Sequence, residues 1–257
     1  MPTIEVPGAR LAYDAVGIGD PIVFLHGVGS VRETWVGQLD EFGKSHLAVA
    51  LDARGHGESV APADTISLKS FASDTAALIK ALGAGPAHLC GLSMGGVIAL
   101  HTCGNHPEVV RSLILCDTWA WHPSAAAGQA GRLAAIDVDD MPKLAADRMP
   151  AVYGPNAAPG LVQSGIATFA AKDKAAYRQS SAVLWTADLR ALAAAVRLPT
   201  LVIVGEHDTV TPPELSEELV RLIPGSRLVV IPDSGHLTNE ESPVAFNAAV
   251  SDFLKRV

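Results

Sequence analysis

Apolar residues along this chain fall in short unbroken runs, most of which finish on a turn-forming or polar residue. Pro21–Gly27 (PIVFLHG), Leu47–Asp52, Ala87–Ser93, Ser112–Asp117, Thr200–Asp208 and Arg227–Asp233 all read this way. A run that is apolar at every position suits a strand covered on both faces, the setting of a parallel sheet. Near the start, Thr3–Val6 and Leu11–Asp14 alternate instead and are split by Pro7-Gly8, which predicts a hairpin at a sheet edge. Helical spacing appears between the runs, over Phe71–Leu82, Val97–His106, Glu214–Leu222 and Pro243–Lys255. Strands alternating with helices predict an α/β fold. Its central sheet is mostly parallel, helices flank it, and ligands bind at the carboxyl ends of the strands.

The rhythm breaks once. Residues 118–196 show no strand pattern, only alanine-rich helical text punctuated by Pro123, Pro142, Pro150, Pro155 and Pro159. A plain loop of that length inside a compact protein is not expected. We therefore read residues 1–117 and 197–257 as the core and 118–196 as a helical cap over the strand ends.

Composition narrows the classes. Apolar residues make up 49% and charged residues 18%, which excludes a disordered chain. With 19 basic against 27 acidic residues the net charge is −8, and no basic stripe offers itself to a nucleic acid. Cys90, Cys103 and Cys116 sit in apolar runs, a pattern of small core residues rather than of disulfides or a metal site. The start MPTIEVPGAR lacks a basic region followed by an apolar one, and no apolar stretch nears the roughly 18 residues that cross a bilayer. The expectation is a cytoplasmic protein without membrane or nucleic-acid partners, with a homo-oligomer left open.

The chemistry begins at Gly91–Gly95 (GLSMG), a G-x-S-x-G motif that follows one apolar run and opens a helix. Small flanking residues let the backbone turn sharply there, lifting the Ser93 hydroxyl to the helix N-terminus, where amides gather. A serine hydroxyl needs a base. Of nine histidines, His236 in DSGHLTNE follows the last strand, and Asp208 in GEHDTVTPP closes the one before, so both reach the same face. Ser93, Asp208 and His236 occur in the order expected for a triad on this architecture. Asp117 is the rival acid, while Asp233 reads as a turn residue. The loop HGVG (His26–Gly29) offers the Val28 amide, and the residue after Ser93 the Met94 amide, as donors to an oxyanion. His26 reads as the residue that locks this loop, and DARGHGES (Asp52–Ser59) as a structural turn. No metal or cofactor site is visible.

Read together, HGVGS, DARGHGES, GLSMGG, VIVGEHDTVTPP and SGHLTNEESP resemble the α/β-hydrolase superfamily along nearly the whole chain. Within it, GLSMGGVIAL, VRSLILCDT and WTADLRALAAAVRLPTLVIVGEHD are most similar to 3-oxoadipate enol-lactonases and their esterase relatives. The resemblance implies the α/β-hydrolase fold, Ser93, Asp208 and His236 as triad, and Val28 and Met94 as oxyanion donors. The expected reaction is cleavage of a small carboxylic ester or lactone through an acyl-enzyme. A carboxylate on the substrate would pair with a cap arginine, with Arg132, Arg148, Arg178 and Arg190 as candidates. Trp119, Trp121, His122 and Trp185 are the candidates for the pocket wall. Three other activities share this frame: hydrolysis of a carbon–carbon bond in a diketone or dienoate, cofactor-free perhydrolysis, and a small-molecule receptor without turnover.

Overall fold

The computed structural model describes residues 2–257. One sheet holds eight strands: β1 (Thr3–Val6), β2 (Ala9–Val16), β3 (Pro21–Leu25), β4 (Leu47–Leu51), β5 (Ala87–Leu92), β6 (Val110–Cys116), β7 (Thr200–Gly205) and β8 (Arg227–Ile231). Their order is β1-β2-β4-β3-β5-β6-β7-β8. The first two form the expected edge hairpin, β2 runs antiparallel to β4, and the remaining pairs are parallel.

Every position of β3, β5 and β7 is buried, as their unbroken apolar runs require. The same expectation fails for β8. Only Ile231 is buried there, and Val230 is exposed, because β8 is the sheet's last strand and pairs on one side only. Cys90, Cys103 and Cys116 are buried and unbridged.

Twelve α-helices accompany the sheet among the described residues. They are α1 (Val36–Phe42), α2 (Leu68–Leu82), α3 (Met94–Asn105), α4 (Pro123–Ala127), α5 (Gln129–Val138), α6 (Met141–Arg148), α7 (Pro159–Ala170), α8 (Lys174–Leu184), α9 (Arg190–Ala195), α10 (Pro213–Leu222), α11 (Thr238–Glu241) and α12 (Pro243–Leu254). Two start three residues earlier than their apolar spacing predicts. A capping box starts α2 at Leu68: the Ser70 N–H donates to Ser67 Oγ at 3.0 Å and the Ser67 N–H to Ser70 Oγ at 2.9 Å. The first turn of α3 is Met94-Gly95-Gly96, which has too few side chains to write a pattern. Neither α1 nor α11 is predicted, both being shorter than two full turns of apolar repeat.

Residues 118–196 hold α4–α9 and no strand among the described residues. This helical segment lies against the carboxyl ends of the strands. Its Ala151 and Val152 carbonyls accept bonds from Thr209 Oγ1 at 3.0 Å and from the His236 N–H at 2.8 Å, in the loops after β7 and β8. Phe169 on α7 presses on Gly29 in the loop after β3, where a Cβ would meet its ring at 2.8 Å. No helix among the described residues is long and apolar enough to cross a membrane.

Candidate active site

Ser93 occupies a strained backbone corner, with φ 55° and ψ −115°, between the end of β5 and the first residue of α3. Positive φ in a residue other than glycine costs of order 1–3 kcal/mol and persists only where the surroundings impose it. Here the Ser93 N–H donates to the Cys116 carbonyl at 2.9 Å, and the Ser93 carbonyl accepts from Thr118 Oγ1 at 2.7 Å. The glycines of the motif answer a steric demand. A Cβ on Gly91 would run into the Gly95 backbone, and one on Gly95 into the Leu25 carbonyl.

His236 and Asp208 meet through Nδ1 and Oδ2 at 2.8 Å, both side chains buried. Asp208 has no idle oxygen. Oδ1 accepts the Val210 and Thr211 N–H groups at 2.8 and 2.9 Å, and Oδ2 also accepts Thr211 Oγ1 at 2.6 Å. A carboxylate so surrounded is an acceptor only, so the imidazole proton belongs on Nδ1 and Nε2 is the basic nitrogen. Burial opposes both charges, but the two groups favour one another's charged forms. The His236 charge and hydrogen bond, with those of Thr211, hold Asp208 below its ordinary 3.8. Burial pushes His236 down, yet Asp208 first, then Asp117 and Glu241, carry it above 6.5.

Ser93 and His236 line one cavity of about 590 Å³, and among the described residues no hydrogen bond joins them. Such bonds are often unformed without substrate and tighten in the complex. Val28 lines the same cavity. Met94 does not, its side chain being fully buried, but its N–H opens α3 beside Ser93. Neither amide donates to a protein acceptor among the described residues.

Asp117 makes no hydrogen bond to His236. It accepts the Gly205 N–H at 2.9 Å and Thr238 Oγ1 at 2.5 Å, and burial together with Asp208 pushes it well above 3.8. Asp233 turns the chain, with φ 57°. His26 bridges its loop to the neighbouring one: its Nδ1 donates to the Gly27 carbonyl at 2.8 Å and its Nε2 accepts the Ala53 N–H at 3.0 Å. Burial drives it down to about 3, so it stays neutral. In DARGHGES, Asp52 accepts the Arg32 and Glu58 N–H groups at 2.8 and 2.9 Å, and Arg54 grips Asp74 with two bonds of 2.8 and 2.7 Å.

The cap candidates divide. Arg132, Arg148, His122 and Trp185 line the cavity. Arg132 lies 4.3 Å over the Trp185 ring, and its Nη1 is buried without a hydrogen-bond partner. Burial and the nearby Arg148 lower its pKa. Arg148 Nη1 donates to Tyr177 Oη at 2.8 Å. Arg178 and Arg190 do not reach the cavity; they pair with Asp137 at 2.5 Å and Asp188 at 2.6 Å on the surface. Trp119 is fully buried behind Trp185, the rings stacked 4.7 Å apart, and Trp121 sits beneath Arg190 at 5.5 Å. Those four leave the wall because each finds a nearer partner. His122 caps α4 through Nδ1 and donates from Nε2 to the Val210 carbonyl at 2.9 Å.

Several residues of the site are not singled out by sequence. Glu241 accepts the Gly154, Gly235 and Leu237 N–H groups at 2.7, 3.1 and 3.1 Å, bracing the His236 loop from both sides. Glu240 lines the cavity, pushed up to about 7 by burial and Glu241. Both sit in the polar text NEES, which reads as surface; only Thr211, three residues after Asp208, carries a local signal, that of a side chain closing an Asp turn.

A strained serine corner at the end of β5 thus shares one face of a mostly parallel sheet with an acid and a histidine from the loops after β7 and β8. The chain belongs to the alpha/beta hydrolase family, which it matches over residues 22–249, and it has that family's fold. It is similar to 3-oxoadipate enol-lactonase 2 of Acinetobacter baylyi, 28% identical over 99% of this chain and 96% of the relative. The solved enol-lactonase of Burkholderia xenovorans LB400 superposes with a TM-score of 0.91 at 28% identity, covering 99% of this chain and 100% of that one. A malate-bound thermophilic esterase from Thermogutta terrifontis is 30% identical with a TM-score of 0.89, covering 99% and 96%.

Proposed function

We propose that this protein is a serine hydrolase that cleaves small carboxylic esters or lactones through an acyl-enzyme. The observation that carries the reading is one cavity lined by Ser93, at its strained corner, and by His236, locked on Asp208. Ser93 Oγ attacks the carbonyl carbon while His236 Nε2 takes its proton. Asp208 holds the imidazole and stabilises the imidazolium. The Val28 and Met94 N–H groups receive the oxyanion. As the carbonyl re-forms, the C–O bond to the leaving group breaks and His236 returns the proton to it. Water, deprotonated by the same nitrogen, then releases the acid and frees Ser93.

The helical segment 118–196 acts as a cap that selects the substrate, over a core of 1–117 and 197–257. Arg132 and Arg148 favour a substrate bearing a carboxylate, as the name of a lactonase relative and a malate-bound esterase also suggest. Neither arginine has an acidic partner among the described residues, and Arg132 Nη1 is unpaired. A guanidinium held from water gains from a carboxylate ligand. For a lactone, both product groups stay on one molecule until deacylation, and a cap retains it.

The test is steady-state turnover by wild type and Ser93→Ala on p-nitrophenyl acetate, a carboxylate-bearing lactone and its neutral analogue. Turnover lost in Ser93→Ala supports the reading, and unchanged turnover ends it. Preference for a dienoate diketone, peroxide-dependent halogenation in acetate, or binding without turnover would each replace it with another activity on the same frame.

A further inference from the structure

Lys172 follows α7 in the helical segment, and its Nζ donates to the Ser30 carbonyl in the loop after β3. That loop carries the Val28 N–H, yet its one internal backbone bond is Ser30 N–H to the Gly27 carbonyl at 3.0 Å. Its shape is therefore imposed from outside. On the core side, a Cβ at Gly27 would approach Leu92 and Ser93 at 3.3 and 3.4 Å, and His26 ties the loop to Ala53. On the other side stand Phe169, against Gly29, and Lys172.

We infer that Lys172 is a positioning residue: its ammonium, charge-assisted on the Ser30 carbonyl, fixes the loop so that the Val28 N–H faces the oxyanion, tying cap closure to catalysis. The inference rests on the proposed serine mechanism. An amide that must meet developing charge contributes only when held in place beforehand, so a loosened loop lowers kcat more than it alters substrate binding.

The setting of Lys172 makes its charge titratable. Burial lowers it to about 8, opposed by Asp52 and Glu33. His26 and His56 also face it, and both are held neutral, since burial and the Lys172 charge lower them. Asp173 follows it in sequence, with its carboxylate engaged by the Ala176 N–H at 2.8 Å. The ammonium is present below about pH 8 and lost above it. If its contact with the Ser30 carbonyl positions the loop, kcat should decline on the alkaline side.

The experiment measures kcat and KM on p-nitrophenyl acetate from pH 6 to 10 for wild type, Lys172→Met, Lys172→Arg and Ser93→Ala. Lys172→Met should lose about 10–100-fold in kcat with KM within about 2-fold. Lys172→Arg, whose charge does not titrate, should keep most of kcat and lose the decline near pH 8. A Lys172→Met kcat within 2-fold of wild type, or an unchanged alkaline decline in Lys172→Arg, overturns the inference. Both results leave Ser93-dependent turnover intact and so spare the serine mechanism; turnover indifferent to Ser93→Ala ends both. If Lys172→Met fails to fold, the pH profile of Lys172→Arg decides alone.

Discussion

Asp208 Oδ2 receives the His236 Nδ1–H at 2.8 Å and the Thr211 hydroxyl at 2.6 Å, while Oδ1 receives two backbone N–H groups. The carboxylate is held by its own turn, and the imidazole is oriented by the carboxylate. An asparagine at 208 offers one oxygen and an amide in place of two acceptor oxygens. Asp208→Asn should therefore favour the wrong imidazole tautomer and lower kcat by about 10³–10⁴-fold. Folding should survive, which circular dichroism beside the kinetics would check.

The acid side of the pH profile has a defined sign. In the proposed mechanism His236 must be neutral to take the Ser93 proton, and the negative charge of Asp208 outweighs burial to lift it above 6.5. As pH falls through that raised value the base is lost, so kcat/KM should fall with a midpoint above 6.5. Asp208→Asn should move the midpoint down, because it removes the group that lifts His236 most. A midpoint in wild type at or below 6.5 would contradict the assigned environment.

Arg132 and Arg148 line the cavity, whereas Arg178 is occupied by Asp137 on the surface. Arg132→Met or Arg148→Met should lower kcat/KM for a carboxylate-bearing lactone by about 10–100-fold, as for loss of a hydrogen bond to a charged group. Turnover of p-nitrophenyl acetate should change far less in either variant. Arg178→Ala should leave both substrates unaffected. Equal losses on neutral and anionic substrates would refute carboxylate recognition.

Gly95 lies against the Leu25 carbonyl, with no room for a methyl group. Gly95→Ala should destabilise the protein by about 1–3 kcal/mol, the usual range for overpacking, and displace the Met94 amide. Thermal unfolding and turnover should both fall. Gly83, with open space around it at a helix end, meets no such neighbour.

Much of this was legible in the chain. The buried strands β3, β5 and β7 were written as unbroken apolar runs, since a strand covered on both faces tolerates nothing else. Ser93 was marked by glycines that the corner requires, and Asp208 and His236 by their places after β7 and β8. The exposure of β8 was hidden because its residues RLVVI look like those of a central strand, and sheet order is not a local property. Glu241, which reaches back to Gly154, Gly235 and Leu237, looked like any surface carboxylate.

The sequence by itself determined the strand–helix alternation, the cysteine-poor apolar core and the sharp corner at Ser93, because each depends on neighbours within a few residues. Tertiary structure alone decided which two of four similar arginines face the cavity, that Trp185 rather than Trp119 or Trp121 forms its wall, and that Lys172 reaches the loop of Val28. Those outcomes depend on how helices joined by short turns pack over distant strand ends. Side chains of the same type are then sorted by contacts that lie more than a hundred residues away, as Lys172 and Ser30 are.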